Sequence, residues 1–225
     1  MKKLKRELKI TEDGSHTFYM PELGEHYHST HGAIQEAMHV YINAGFNFCE
    51  KDPIHILEIG FGTGLNCFLT LLEAIKQQRK VIYHSIELYP LDEEQVEKLN
   101  YAAQVKSEYQ KYFAAIHQAE WDKSIAITSD FYLKKLQGDL LEYQFSDYYD
   151  LIYFDAFAPD IQPKLWSQEV FQKIHSSTNA DAILTSYSTK GIVKQALRAS
   201  DFEVKRLPGP LGKHHMLRAT RISKK

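Results

Sequence analysis

The stretch Ile54–Asn66 reads IHILEIGFGTGLN, and the rest of the chain is best read outward from it. Pro53 precedes a run of mostly apolar residues, and then glycine arrives at alternate positions, Gly60, Gly62 and Gly64. An apolar run bounded in this way predicts a buried strand, Ile54–Ile59, followed by a sharp turn. Beyond the turn Leu65, Phe68, Leu69, Leu72 and Ile75 recur at helical spacing, which predicts a helix of about four turns. The glycines allow a tight turn and let a ligand approach the backbone without Cβ interference. The start of the helix adds free N–H groups. The spacing is GxGxG, not the GxGxxG of dinucleotide-binding turns, and Glu58 stands just before it.

Sharp strand-to-helix turns also use glycine for structural reasons alone, so the acids that follow carry weight. Val81–Glu87 (VIYHSIE) predicts the second strand, and Glu87 ends it. A carboxylate at that place can accept both hydroxyls of a ribose. Asp92 with Gln95 has the spacing of a capping box opening the next helix. Ser124–Ser129 (SIAITS) predicts a third strand whose end, Asp130, would reach the same sheet edge, either to bond an adenine amino group or to cap a helix. Tyr149–Phe154 (YDLIYF) predicts a fourth, ending on Asp155 within DAFAP. Asp155 could accept a hydrogen bond from an attacking amine, and Phe157 could stack on a base; a structural Asp155 would only orient its loop. A helix near Ser167–Ile174, a strand at Ala182–Tyr187 and a helix over Thr189–Ala199 follow. Phe202–Arg206 and His214–Arg221, around the turn-rich LPGPLG (Leu207–Gly212), predict an antiparallel pair at the sheet edge.

Strand–helix alternation of this kind predicts a parallel sheet with helices on both faces. The expected fold is a Rossmann-like α/β sandwich over residues 51–225, with a mostly parallel seven-stranded sheet and an antiparallel last strand. Residues 1–50 show no such alternation and are expected to form an N-terminal extension packing over the site.

Composition narrows the class. With 225 residues, 44% hydrophobic and 25% charged, the chain can bury a core without disulfide or metal staples. Cys49 and Cys67 alone make neither a disulfide framework nor a metal-ligand pattern, and are expected to be reduced thiols in a cytoplasmic protein. The opening MKKLKRELK has no secretory apolar segment, and no run approaches the ~20 apolar residues of a membrane span. His26, His28 and His31, and the pair His214–His215, lack Cys, Asp or Glu partners in a recognisable spacing, so no metal is expected. The net charge is −2, yet residues 1–9 carry five Lys/Arg against one Glu, and residues 205–225 carry seven Lys/Arg and no acid. Such ends either form a basic face able to track phosphates or are solvated tails.

Taken together, these pieces resemble the methyltransferase domain of the bifunctional tRNA 5-methylaminomethyl-2-thiouridine biosynthesis proteins and their stand-alone relatives. The matching segments are DGS (Asp13–Ser15), GEHYHSTHGAIQEA (Gly24–Ala37), EIGFGTGLN (Glu58–Asn66) and IELYPL (Ile86–Leu91). FDAFAPDIQPKLW (Phe154–Trp166), TSYSTKGIVKQAL (Thr185–Leu197) and LPGPLGKHHMLRA (Leu207–Ala219) continue the match. The resemblance implies S-adenosylmethionine as cofactor and the anticodon region of tRNA as partner. It implies methylation of the primary amine of 5-aminomethyluridine, or its 2-thio form, at the wobble position. On the same basis Glu58, Gly60, Phe61, Gly62, Gly64 and Asn66 would hold the methionine end and Glu87 the ribose. Tyr27 would cover the cofactor, Asp130 and Asp155 would line the adenine and amine sides, and Lys213 and Arg218 would grip phosphates. The bifunctional proteins carry a flavin-dependent oxidase as well. Here the chain shows no second glycine fingerprint, so methylation alone is expected. A methyl- or aminopropyltransferase for a small-molecule amine, a nicotinamide-dependent oxidoreductase and a non-catalytic RNA-binding module are the rival readings.

Overall fold

The computed structural model describes residues 5–222; Lys2, Lys3, Lys224 and Lys225 of the two basic ends lie outside them. Strands β1 (Glu7–Ile10), β2 (His16–Met20) and β3 (Glu25–His26) pair as a small antiparallel sheet. Helix α1 (Ala33–Ala37) then runs on into a π-helical segment, Met38–Phe46, closed by the Asn47 N–H donating to the Ile42 carbonyl at 2.8 Å. Val40, Tyr41, Ile42 and Phe46 of that segment are buried and share one core with the main sheet.

The main body comprises β4 (Ile54–Ile59), α2 (Leu65–Gln77), β5 (Val81–Glu87), α3 (Glu93–Glu97), α4 (Tyr101–Val105), α5 (Gln110–Gln118), β6 (Ser124–Ala126) and β7 (Phe131–Gln137). β8 (Tyr149–Phe154), α6 (Gln168–Ser176), β9 (Thr178–Ser186), α7 (Gly191–Ala199), β10 (Phe202–Pro208) and β11 (His215–Arg221) complete it. The order β10-β11-β9-β8-β4-β5-β7-β6 makes an eight-stranded sheet. Its centre, β9-β8-β4-β5-β7, is parallel, and β11 runs antiparallel between β9 and β10. This is the Rossmann-like α/β architecture expected, with one strand more than seven: β6, a three-residue antiparallel addition at the far edge.

β6 corrects the reading of the third strand. SIAITS supplies only that edge piece, and the parallel strand is FYLKKLQ, β7. Lys134 and Lys135 disguise it. Lys135 is 1% exposed, its ammonium donating to the His117 carbonyl at 2.7 Å and lying 4.9 Å from the Trp121 ring. An apolar stem and an aromatic floor make a lysine acceptable inside the sheet. Asp130 therefore precedes its strand. Its carbonyl accepts from the Val81 N–H at 2.7 Å, which places it at the start of β5, the opposite end from Glu87.

Strand alternation sorts the side chains between two cores. Ile54, Ile56, Val81, Tyr83 and Tyr153 pack with α2, α5 and the π-helical segment. Leu57, Ile59, Ile152 and Phe154 pack with α6 and α7. The capping box forms as expected: the Gln95 N–H donates to Asp92 Oδ1 at 3.0 Å and the Asp92 N–H to Gln95 Oε1 at 3.1 Å. No helix among the described residues is long and apolar enough to cross a membrane.

Candidate active site

The C-terminal ends of β4, β5, β7 and β8 open into a cavity of about 920 Å³. That edge, outside the carboxyl ends of parallel strands, is where open α/β sheets bind ligands. Two glycines shape its floor. Gly60 has φ +91°, and a Cβ there would stand 2.8 Å from the Asp155 carbonyl oxygen. Gly62 has φ +51°, and its Cβ would meet the Tyr27 ring at 3.1 Å. Only glycine tolerates both the left-handed backbone and the close approach.

Glu87 ends β5 with its carboxylate held by two backbone donors, the Gly62 N–H at 3.0 Å and the Tyr89 N–H at 2.8 Å. One bond on each oxygen aims the group and leaves lone pairs over. Tyr27 reaches across the glycine turn from the N-terminal segment and meets Phe157 edge-on at 5.1 Å. Its hydroxyl accepts from Arg6 Nε at 2.8 Å, and burial pushes the phenol up to about 12. Arg6 also donates to the Tyr89 carbonyl at 2.6 Å and to Gln95 Oε1 at 3.2 Å. One guanidinium thus ties the N-terminal sheet to the segment after β5.

Asp155, half-buried at the end of β8, lines the cavity. Tyr41 OH donates to its Oδ1 at 2.6 Å and Asn66 Nδ2 to its Oδ2 at 2.8 Å. Burial raises the carboxyl to about 6, with those two donors pulling the other way. It is therefore ionised at neutral pH. Glu58 is fully buried behind the turn, takes a 2.7 Å hydrogen bond from Ser85 Oγ and is pushed up to about 8 by burial. Across the cavity the Lys213 ammonium donates to Glu36 and lies 4.4 Å from the Tyr187 ring centre.

A family model described as S-adenosyl-L-methionine-dependent methyltransferase matches residues 97–222, more than half of the chain. The chain belongs to that family. Among similar proteins, the tRNA 5-methylaminomethyl-2-thiouridine biosynthesis bifunctional protein MnmC of Azoarcus sp. (strain BH72) is 32% identical over 227 residues, covering 94% of this chain and 35% of that protein. The protein of the same name from Magnetococcus marinus is 30% identical over 225 residues, covering 90% of this chain and 32% of its own. The chain thus spans about a third of the length of these curated relatives. Among solved structures, MNMC2 from Aquifex aeolicus superposes with a TM-score of 0.74 at 24% identity, covering 98% of this chain and 71% of that one. Spermidine synthase from Thermotoga maritima superposes at 0.55 with 17% identity, covering 97% and 73%. Both likenesses show the fold alone.

The methyltransferase has a floor that suits its family's cofactor. Gly60 and Gly62 let the turn close against the Asp155 carbonyl and the Tyr27 ring at the cavity wall, where a Cβ would not fit, and Glu87 offers aimed acceptors of the kind a ribose diol needs. Gly60, Phe61, Gly62, Asn66, Tyr27, Glu87, Asp155, Phe157 and Lys213 all line the cavity. The Phe61 ring turns inward against His117 and Trp121, so only the rest of that residue faces the opening. Gly64 and Glu58 stand behind the lining, Gly64 with φ +73° as the residue that starts α2.

Two expected residues fall elsewhere. Asp130, exposed at the opposite sheet edge, does not line the cavity; Gly138 and Asp139, which follow the true third parallel strand, do. Arg218 sits within β11 with its guanidinium 3.3 Å from the Phe48 ring centre, outside the cavity lining, and burial lowers its pKa. The ring covers one face of the guanidinium, and the placement of Arg218 outside the lining is what separates it from the cavity. Sequence reasoning also missed Arg6, Glu36, Tyr41 and Tyr187. Asp139 had a signal, since it follows its strand as Asp155 follows β8; the other four had no local one. Among the described residues no group of three His, Cys, Asp or Glu could hold a metal ion. His28 instead contacts Thr17 and Thr63, with burial lowering it to about 4.

Proposed function

We propose that this methyltransferase methylates the primary amine of 5-aminomethyluridine, or its 2-thio form, at the wobble position of tRNA. The observation that carries the reading is Asp155: a carboxyl group held at the cavity wall by Tyr41 and Asn66, in a lining that also contains Phe157. The printed name of the 32%-identical relative points to the same nucleoside.

When bound, S-adenosylmethionine supplies a methyl group already activated on a sulfonium. The chain then has to align, desolvate and deprotonate. The backbone from Gly60 to Gly62 would hold the methionine end, with Asn66 behind it on Asp155, Glu87 would hold the ribose, and Asp139 would stand on the adenine side. Tyr27, brought over by the N-terminal segment, covers the turn. The amine, with a pKa near the ~10 of a lysine, arrives as an ammonium without a lone pair. Asp155 takes a hydrogen bond from it and orients it, while the half-buried setting favours the neutral form and the proton leaves to water. Phe157 offers a face to the base, and Lys213 exchanges Glu36 for a phosphate oxygen.

The test is transfer from labelled S-adenosylmethionine to tRNA bearing unmethylated 5-aminomethyluridine, followed by nucleoside analysis. Label in 5-methylaminomethyluridine is the expected result. Cofactor binding without transfer to that tRNA, together with transfer to a free amine or polyamine, overturns the tRNA reading in favour of a small-molecule enzyme.

A further inference from the structure

At the foot of the glycine turn, three buried side-chain atoms have no hydrogen-bond partner: Glu58 Oε1, Asn66 Oδ1 and the Tyr83 hydroxyl. They form one cluster, since the Asn66 amide and the Tyr83 hydroxyl both face the Glu58 carboxyl. The orientation of Asn66 is set from the other side, where its Nδ2 donates to Asp155 at 2.8 Å. Its Oδ1 therefore points inward with nothing to accept. A Glu58 carboxylate could accept from the Tyr83 hydroxyl but would leave Asn66 Oδ1 facing a second acceptor with no donor between them, an expensive arrangement.

A single proton removes the conflict. We infer that Glu58 is a neutral carboxylic acid whose Oε1–H donates to Asn66 Oδ1, and that it acts as a positioning residue for Asp155. The inference rests on the methyltransferase reading of the site but not on tRNA as substrate. It completes a chain from core to cavity: Ser85 Oγ donates to Glu58 Oε2, Glu58 to Asn66, and Asn66 to Asp155, which also accepts from Tyr41. Glu58 is 0% exposed and absent from the cavity lining, so it does not meet the cofactor. The groups that face it are Ser85 and Tyr83 from β5, Asn66 and Cys67 from α2, Tyr153 from β8, and Asp155 beyond it. None is a cation. Burial pushes Glu58 up to about 8, outweighing the hydrogen bonds from Ser85, Asn66 and Tyr83, which act to lower it. Without the donor from Glu58, the Asn66 amide is free to turn its carbonyl toward Asp155, and two acceptors would then oppose each other.

The test compares Glu58→Gln with Glu58→Leu. Glutamine supplies a donor for Asn66 and an acceptor for Ser85 without charge; leucine supplies neither. Glu58→Leu is expected to lower kcat roughly tenfold with little change in KM for S-adenosylmethionine, and to raise the acidic limb of the pH–rate profile as Asp155 loses its donor. Glu58→Gln is expected to restore kcat to within about threefold of the parent. A second readout needs no methyl acceptor. A carboxyl raised by folding stabilises the protein below the ordinary glutamate range, and that contribution is lost as pH climbs toward 8. The melting temperature of the parent relative to Glu58→Gln should therefore fall from pH 5 to pH 8. Weaker cofactor binding by tenfold in Glu58→Gln, seen by titration calorimetry, or a flat melting difference across that range, overturns the inference. If no tRNA amine is methylated by the parent, these two binding and melting measurements still decide it.

Discussion

Asp155 combines three conditions that pull against one another. It ends a fully buried strand, it faces a cavity, and it accepts from Tyr41 and Asn66. Burial wins over the two donors and leaves the carboxyl at about 6. The sign follows: above pH 6 the carboxylate is present and can orient an amine, and as pH falls through 6 it is protonated and that function is lost. Asp155→Asn should cut kcat by about 10²-fold while cofactor affinity stays within about twofold. The wild-type profile should show a limb near pH 6 that the variant lacks. A variant profile with the same limb would assign the titration to another group. Asp155 and Glu87 were legible in the sequence because apolar strands announce their own ends. Tyr41 was not, since its bond to Asp155 spans 114 positions and leaves no local trace.

Among the elements, the strand, glycine turn and helix from Ile54 to Gln77 behave as their pattern dictates. Apolar period and φ requirements are local properties, so a short window contains them. β7 shows the limit of that reasoning. Its lysines signal a surface, and the rings of Trp121 and Phe61 with the carbonyl of His117 make Lys135 a core residue. Taking SIAITS for that strand is what assigned Asp130 to the site, where Asp139 stands. The turn gives a sharp test. In Gly62→Ala the new methyl would sit at φ +51° and 3.1 Å from the Tyr27 ring. The fold should survive, with a stability loss of about 1 kcal/mol or somewhat more, since the left-handed region disfavours alanine by roughly that amount. Cofactor affinity measured by calorimetry should drop at least about tenfold, because the methyl pushes the Tyr27 ring off the turn it covers. Unchanged affinity would mean that the ligand does not approach this part of the turn.

For the molecule as a whole, residues 5–50 are woven into both core and site. The π-helical segment shares the core with α2, and Arg6 links Tyr27 to Tyr89 and Gln95. Arg6→Ala should leave the melting temperature nearly unchanged, because a partly exposed arginine contributes about 1 kcal/mol or less. KM for S-adenosylmethionine should nevertheless rise severalfold, on the order of one kcal/mol of lost closure. Backbone amides of β1 to β3 should exchange faster with solvent. Normal KM with normal exchange would detach Arg6 from the cover.

The sequence by itself determined the strand–turn–helix, the acids at the ends of β5 and β8, and the parallel architecture with its antiparallel closing strand. These rest on periodicities and backbone limits that act within about ten residues. Only the tertiary structure decided that Asp139 stands where Asp130 was expected, that Arg218 stacks on Phe48, and that Tyr41, Glu36 and Arg6 serve the cavity. Those outcomes depend on which distant surfaces are pressed together when water is excluded from the core. No short stretch of chain encodes such neighbours.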